Sequence, residues 1–226
     1  MTQQQATTLD VRRHMELFDP YSFDKKVTVI GAGATGSWLV LMLAKLGIQD
    51  ITVYDFDKVE EHNIPNQLYG IQNVGEYKVM ALREIIKEQT GTEINVFTDR
   101  FEHQRLSGYV YCMVDTMAGR DKIWKYSAKL KSAISLYTEP RMGLDTARVY
   151  NVEPMNLTHH KRYEACFYTD DEAEVSACGT SMSVITTALT TASWCARQLI
   201  EHHAGRELSN EILIDVMYNN IVETRW

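Results

Sequence analysis

The chain is short of the residues that build special scaffolds. Its four cysteines, Cys112, Cys166, Cys178 and Cys195, form no CxxC pair. A disulfide framework is therefore not expected in a chain of 226 residues, and a structural zinc site lacks its usual ligand spacing. Proline is scarce too, at four residues, and no Gly/Pro-rich tract is present, which argues against a flexible inter-domain hinge. The longest unbroken apolar run is Trp38 to Ala44, too short to cross a bilayer. The start, Thr2-Gln3-Gln4-Gln5, has no signal-peptide pattern. Basic residues are outnumbered, and the formal charge of −7 argues against a general nucleic-acid binder, which must neutralise phosphates. These absences imply a cytoplasmic protein that engages neither membrane nor nucleic acid. One α/β domain over residues 1–226 is the simplest expectation, large enough to bury a full core.

What is present is an alternating pattern. Residues 11–18 read as a short helix, 26–30 as a strand, 34–46 as a helix and 50–55 as a strand. A helix over 75–89 puts Val79, Leu82, Ile85 and Ile86 on one face. Strands follow at 93–98 and 109–114, then a helix at 118–131 and a strand at 133–138. This order implies a Rossmann-like, largely parallel sheet with helices on both faces. Later residues change grammar: a strand at 148–152, an irregular stretch at 154–178, a long helix at 180–203 and a last strand at 211–217. The late, partly antiparallel strands are expected to extend the same sheet. Residues of about 10–140 would then form the nucleotide part, and about 141–226 would complete the sheet and serve dimer or substrate contacts.

The chemistry concentrates in Lys26 to Lys78. Strand Val27-Thr28-Val29-Ile30 runs into Gly31-Ala32-Gly33-Ala34-Thr35-Gly36, a GxGxxG loop that opens a helix. Gly31 permits the tight turn, Gly33 lets backbone approach a pyrophosphate, and Gly36 lets the helix pack on the sheet. The helix N-terminus offers N–H groups and a positive dipole end to phosphate. Asp55 ends the second strand, 19 residues beyond Gly36, where a carboxylate can accept ribose hydroxyls. Such an acid is expected for NAD and does not separate it from ATP.

The residues after it do. Asp55-Phe56-Asp57-Lys58-Val59-Glu60-Glu61-His62-Asn63-Ile64-Pro65-Asn66-Gln67 resembles the DxDxVxxxNxxRQ signature of the ThiF/MoeB/HesA family, the prokaryotic branch of the ubiquitin-activating-type adenylyltransferases. Gly75-Glu76-Tyr77-Lys78 resembles that family's GxxK segment, and Val114-Asp115-Thr116-Met117-Ala118-Gly119-Arg120 its strand-end segment. Val11-Arg12-Arg13-His14-Met15 resembles its RQI segment. Looser likenesses at Arg141-Met142-Gly143 and Tyr163-Glu164 resemble phage- and plasmid-type ThiF-like proteins and would place Arg141 near the site.

The resemblance implies ATP-dependent adenylation of a carboxylate with release of pyrophosphate, a reaction served by positioned positive charge and metal rather than a proton shuttle. It implies that Lys78 sits on the phosphates and that Asp115 holds Mg²⁺, a hard ion suited to one or two carboxylates plus phosphate. Asp55 would hold the ribose, with Asp57, Asn63 and Gln67 completing the nucleotide site. Arg13 would act as an arginine finger supplied by the partner subunit, which implies a homodimer. The acceptor would be the tail of a ubiquitin-like or sulfur-carrier protein or peptide. Each residue also has an ordinary use: Lys78 as a solvated lysine, Asp115 as a helix cap, Arg12 and Arg13 as surface charge. One departure stands out. Asn66 occupies the place of the family arginine, with Arg12, Lys58 or Arg141 as conceivable replacements.

Many family members bind zinc through paired CxxC motifs, and this chain has none, so no zinc is expected. His159, His160 and Cys166 form a loose cluster in a polar loop, expected to face solvent. Cys178 precedes Gly179-Thr180-Ser181 at the start of the long helix, where a thiolate is favoured; by resemblance it is a candidate acyl or sulfur acceptor, and otherwise a small buried cysteine. Cys112 and Cys195 fall at core positions and are expected to be inert. Two other functions stay open: an NAD-dependent oxidoreductase built on the same glycine loop, and a catalytically weakened nucleotide-binding assembly protein, which Asn66 keeps in view.

Overall fold

The computed structural model describes residues 9–169 and 183–226. Its first half follows the alternation. Strand β1 (Val27–Ile30) leads to helix α1 (Ala34–Lys45), β2 (Ile51–Tyr54), α2 (Lys78–Thr90), β3 (Asn95–Phe97), β4 (Gly108–Cys112) and α3 (Met117–Ile123). A π-helical turn, Trp124–Ala128, extends α3 before β5 (Ile134–Met142). The second half contains β6 (Thr146–Val152), α4 (Leu157–Glu164), α5 (Ile185–His203), β7 (Glu211–Asp215) and β8 (Asn220–Thr224). The strands form one eight-stranded sheet in the order β3-β2-β1-β4-β5-β6-β7-β8. Pairing is parallel from β3 through β5 and antiparallel from β5 through β8. This is the Rossmann-like sheet with late antiparallel strands that the sequence implied.

Strands β1 and β4 are buried along their whole length because helices cover both faces. On one face α1, α2 and α5 pack Leu39, Leu43, Leu82, Ile86 and Leu199 onto Val27, Val29, Ile51 and Val53. On the other, Ile123, Trp124 and Tyr163 pack onto Ile30, Val110, Cys112 and Tyr137. Among the described residues, no helix is long and apolar enough to cross a membrane.

Three elements differ from the sequence expectation. Residues 11–18 form turns, not a helix: His14 N donates to Val11 O, and Leu17 N and Phe18 N both donate to His14 O. The buried anchors Val11 and Phe18 sit at the two ends, while Met15 and Leu17 between them stay exposed, so no continuous buried face supports a helix. Part of the stretch expected to be irregular is α4, capped by Asn156, whose side chain accepts from the N–H groups of Thr158 and His159. The helix turns His159, His160 and Tyr163 inward, so the two histidines are buried rather than solvent-facing. The third difference is β8, an edge strand exposed at every position and therefore without a burial pattern to reveal it. The expected helix over 180–203 is described from Ile185 onward.

Candidate active site

In an open parallel sheet, ligands bind at the carboxyl ends of strands where the order reverses. Here that reversal lies between β1, which continues outward to β2, and β4. The glycine loop sits there. Gly31 has φ +104°, and its N–H donates to Tyr54 O at 2.8 Å. A β-carbon on Gly31 would lie 2.7 Å from Met113 O, and one on Gly36 would lie 2.0 Å from Gly31 O. Both glycines are thus required by close backbone packing. Gly33 differs: a β-carbon there would meet nothing within 4 Å. It forms the N-cap of α1, which has no side-chain cap and no acidic residue in its first turn. The loop therefore presents open backbone at a positive helix end, the surface an anionic phosphate needs.

A hydrogen-bonded chain fixes the loop to the next strand. Asp55 is buried; its Oδ2 accepts from Ala32 N at 2.6 Å and its Oδ1 from Asp57 N at 2.8 Å. Burial pushes the Asp55 carboxyl above the usual range, against the opposing pull of the two amide donors and Lys78. Each oxygen keeps a further lone pair, so the carboxylate can still accept a ribose hydroxyl. Lys78 opens α2 and is 7% exposed; its Nζ reaches Asp57 Oδ2 at 3.1 Å. Tyr69, which sequence reasoning missed, braces the loop from below. Its hydroxyl donates to Ala32 O at 2.7 Å, and burial followed by the Asp55 charge raises its pKa well above the ordinary value. Ser37 Oγ similarly accepts from Leu68 N. Neither contact leaves a local pattern in the sequence, because each joins residues more than thirty positions apart.

Asp115 follows β4 as part of the same edge. Met113 packs against Gly31 and Gly36, which brings the exposed Asp115 two residues beyond the loop contact. It is not the helix cap: Thr116 is the N-cap of α3, and its hydroxyl accepts from Gly119 N. The exposed carboxylate is a hard oxygen ligand of the kind that could hold a cation such as Mg²⁺.

Asn63 is buried, and its Oδ1 caps a short 3-10 turn by accepting from Glu60 N. Its carbonyl accepts from Gln67 N at 3.0 Å. Among the described residues, Gln67 Oε1 is buried without a hydrogen-bond partner, as is Asn66 Oδ1. Asn66 Nδ2 donates to Ser183 Oγ beside the start of α5, and Asn66 O accepts from Trp38 Nε1. The residue in place of the family arginine therefore ties α1 to α5.

Two of its conceivable replacements are committed elsewhere. Arg12 pairs with Asp10, and Arg141 is held by Glu139 and the Cys166 carbonyl. Lys58 lies over the Tyr77 ring at 5.2 Å. Arg13 is not brought to the site within one chain. His14 Nε2 bonds Leu46 O at the far end of α1, ~18 Å from the glycine loop for a helix of this length. Cys178 lies outside the described residues. Cys112 and Cys195 are buried, which raises the Cys112 thiol to about 11 and the Cys195 thiol still further, as suits inert core positions.

The profile of the ThiF family matches residues 22–224. The chain belongs to the ThiF family. Among curated relatives, "Probable adenylyltransferase/sulfurtransferase MoeZ" of Mycobacterium tuberculosis is 40% identical over 62 residues, 27% of this chain and 16% of that one. The "NEDD8-activating enzyme E1 catalytic subunit" of Arabidopsis thaliana is 33% identical over 86 residues, 37% of this chain and 19% of that one. The matches thus span less than a fifth of either relative. A crystal structure of E. coli MccB with AMPCPP and selenomethionine-labelled MccA superimposes with a TM-score of 0.66 at 16% identity, covering 89% of this chain and 64% of that one. PaaA gives a TM-score of 0.67 at 16% identity, covering 100% and 77%. Those two likenesses extend the family fold through the antiparallel half of the sheet.

Proposed function

We propose that this ThiF-family chain adenylates a carboxylate at the expense of ATP. One carboxylate oxygen attacks the α-phosphorus; the bond from that phosphorus to the bridging oxygen breaks, and pyrophosphate leaves with the electron pair. The observation that supports the reading is that the buried Lys78 is tied through Asp57 and Asp55 to the glycine loop with its open Gly33 backbone, while the exposed Asp115 follows the β4 end that packs on the same loop. Negative charge accumulates on phosphate oxygens in this reaction, so fixed positive groups lower its barrier. Gly33 and the α1 N-terminus would cradle phosphate, Lys78 would neutralise it, and Asp55 would hold the ribose. Asn63 and Gln67 would shape the phosphate side of the site. Asp115 would ligate Mg²⁺, whose charge would stabilise the phosphate oxygens and the leaving group.

The acceptor we assign is the C-terminal tail of a ubiquitin-like or sulfur-carrier protein, or a peptide. Likeness to an adenylyltransferase/sulfurtransferase, to a NEDD8-activating subunit and to MccB with MccA supports this choice. Arg13, stationed at the opposite end of its own α1, would serve the site of a second copy in a homodimer. Cys178 is the proposed nucleophile toward the acyl-adenylate, forming a thioester with release of AMP.

Calorimetric titration with MgATP and with NAD, followed by ATP–pyrophosphate exchange with a tail-bearing protein, tests the reading. Mg²⁺-dependent ATP binding that weakens in Asp115→Ala, together with acceptor-dependent exchange, is the expected result. NAD binding with no response to ATP would sink it. Asn66 favours one second reading, a nucleotide-binding assembly protein: its side chain bonds Ser183 and supplies no charge. ATP binding without exchange, for any tail-bearing partner tried, would favour that alternative.

A further inference from the structure

A lysine ammonium carried into a folded interior is costly unless an opposite charge meets it. The Lys78 side chain is 9% exposed, and Asp57 is its ion-pair partner. The contact is more than a side-chain encounter. Lys78 N donates to Asp57 O at 2.9 Å, while Lys78 Nζ donates to Asp57 Oδ2 at 3.1 Å. The flanking backbone is laced together as well: Val59 N donates to Glu76 O at 2.8 Å, Gly75 N donates to Val59 O at 2.9 Å, and Lys58 bridges Tyr77. The first turn of α2 is thereby pinned to the segment leaving β2. Asp57 N in turn donates to Asp55 Oδ1, and Asp55 Oδ2 accepts from Ala32 N in the glycine loop. Four residues, Ala32, Asp55, Asp57 and Lys78, form one continuous hydrogen-bonded chain.

We propose that Asp57 is a positioning residue of the nucleotide site: it holds the Lys78 ammonium in register with the glycine loop, and a nucleotide phosphate then takes over that ammonium. This rests on the nucleotide reading above and assigns Asp57 a role through Lys78 rather than on the nucleotide itself. The geometry supports the exchange. The Asp57 side chain is 50% exposed, so its carboxylate returns to water when the lysine leaves it, whereas Lys78 stays enclosed and requires a replacement anion. With Asn66 supplying no charge, Lys78 is the cation whose position matters most on this side of the loop.

The test is a double-mutant cycle on the full chain, Asp57→Asn with Lys78→Met, read by calorimetric MgATP affinity and by the rate at which trace acetic anhydride acylates Lys78 without nucleotide. In Asp57→Asn, MgATP affinity is expected to fall by about tenfold, the loss typical of one charge-assisted hydrogen bond. Lys78 should be acylated several-fold faster. Asp57→Glu should recover most of both properties, and Asp57→Asn should cost nothing further in the Lys78→Met background. Additive losses in the cycle, or an unchanged Lys78 acylation rate in a folded Asp57→Asn variant, would overturn the role. A wild-type chain that binds no MgATP would instead overturn the nucleotide reading, a result the acylation measurement keeps separate.

Discussion

Glu139 offers the sharpest test of how the site edge is supported. It lies on β5, fully buried, and accepts from Arg120 Nη1 at 2.6 Å and Arg141 Nε at 2.7 Å. Arg141 Nη2 and the Tyr163 hydroxyl complete its shell. Arg120 belongs to α3, the helix that follows Asp115, so this carboxylate anchors the proposed metal loop to the sheet. Glu139→Gln removes the charge and leaves two buried guanidinium groups uncompensated. Breaking a buried pair in this way costs about 3–5 kcal/mol. For a domain of this size that corresponds to a fall in Tm of roughly 6–20 °C.

The effect has a defined pH dependence. Burial alone would push the Glu139 carboxyl up, but Arg120, then Arg141 and Tyr163, outweigh it and leave it below the usual range. A folded-state pKa below the unfolded one contributes stability that is complete above about pH 5 and is lost as pH falls through the folded value. The gap between wild type and Glu139→Gln should therefore be full at pH 7 and shrink under acid. Urea unfolding of both proteins at about pH 7 and about pH 3 measures it. A gap under about 1 kcal/mol at neutral pH, or one equal at both pH values, would refute the reasoning.

The remaining predictions separate folding from binding. Gly36→Ala places a methyl group against the Gly31 carbonyl and should destabilise by about 3 kcal/mol or more, visible in thermal melts. Gly33→Ala fills open space, so it should fold within about 1 kcal/mol of wild type yet weaken MgATP binding by roughly tenfold or more in calorimetry. Thr116→Ala should cost about 1 kcal/mol through loss of the α3 cap, measured by urea unfolding. Asp115→Ala, exposed and not the cap, should leave stability within about 0.5 kcal/mol while abolishing the Mg²⁺ dependence of ATP binding.

How far the sequence spoke depends on the range of the interaction. Strand β1, the glycine loop and α1 are contiguous, so their order is readable without a structure, and Asp55 falls where a second strand must end. The parallel half of the sheet was legible for the same reason: its central strands β1 and β4 are short, mostly apolar segments buried at every position. The antiparallel half was harder. Helix α4 carries only three inward residues in a charged stretch, and the exposed edge strand β8 is specified by its pairing with β7 rather than by any burial pattern. Turns replaced the helix expected at 11–18 because Val11 and Phe18 are held by distant neighbours rather than by each other.

The site divides along the same line. Residue types at Gly31, Gly33, Gly36, Lys78 and Asp115 were visible as an ordered set, but what each side chain touches was not. Asp57 shows the difference most clearly. In the sequence it is the second acid of the motif, with no partner of its own to be read; in the fold Asp55 bonds the glycine loop and Asp57 bonds Lys78. Asn66 carries the same lesson from the opposite side. The missing charge could be read from the chain, but the hydrogen bonds that put its side chain on Ser183 and its carbonyl on Trp38 could not. That placement gives position 66 a structural use between α1 and α5, so restoring an arginine there would trade an existing tether for a charge. On the proposed reading, the site's positive charge on this side depends on how firmly Lys78 is held, which makes the Asp57–Lys78 pair the feature on which nucleotide affinity would turn.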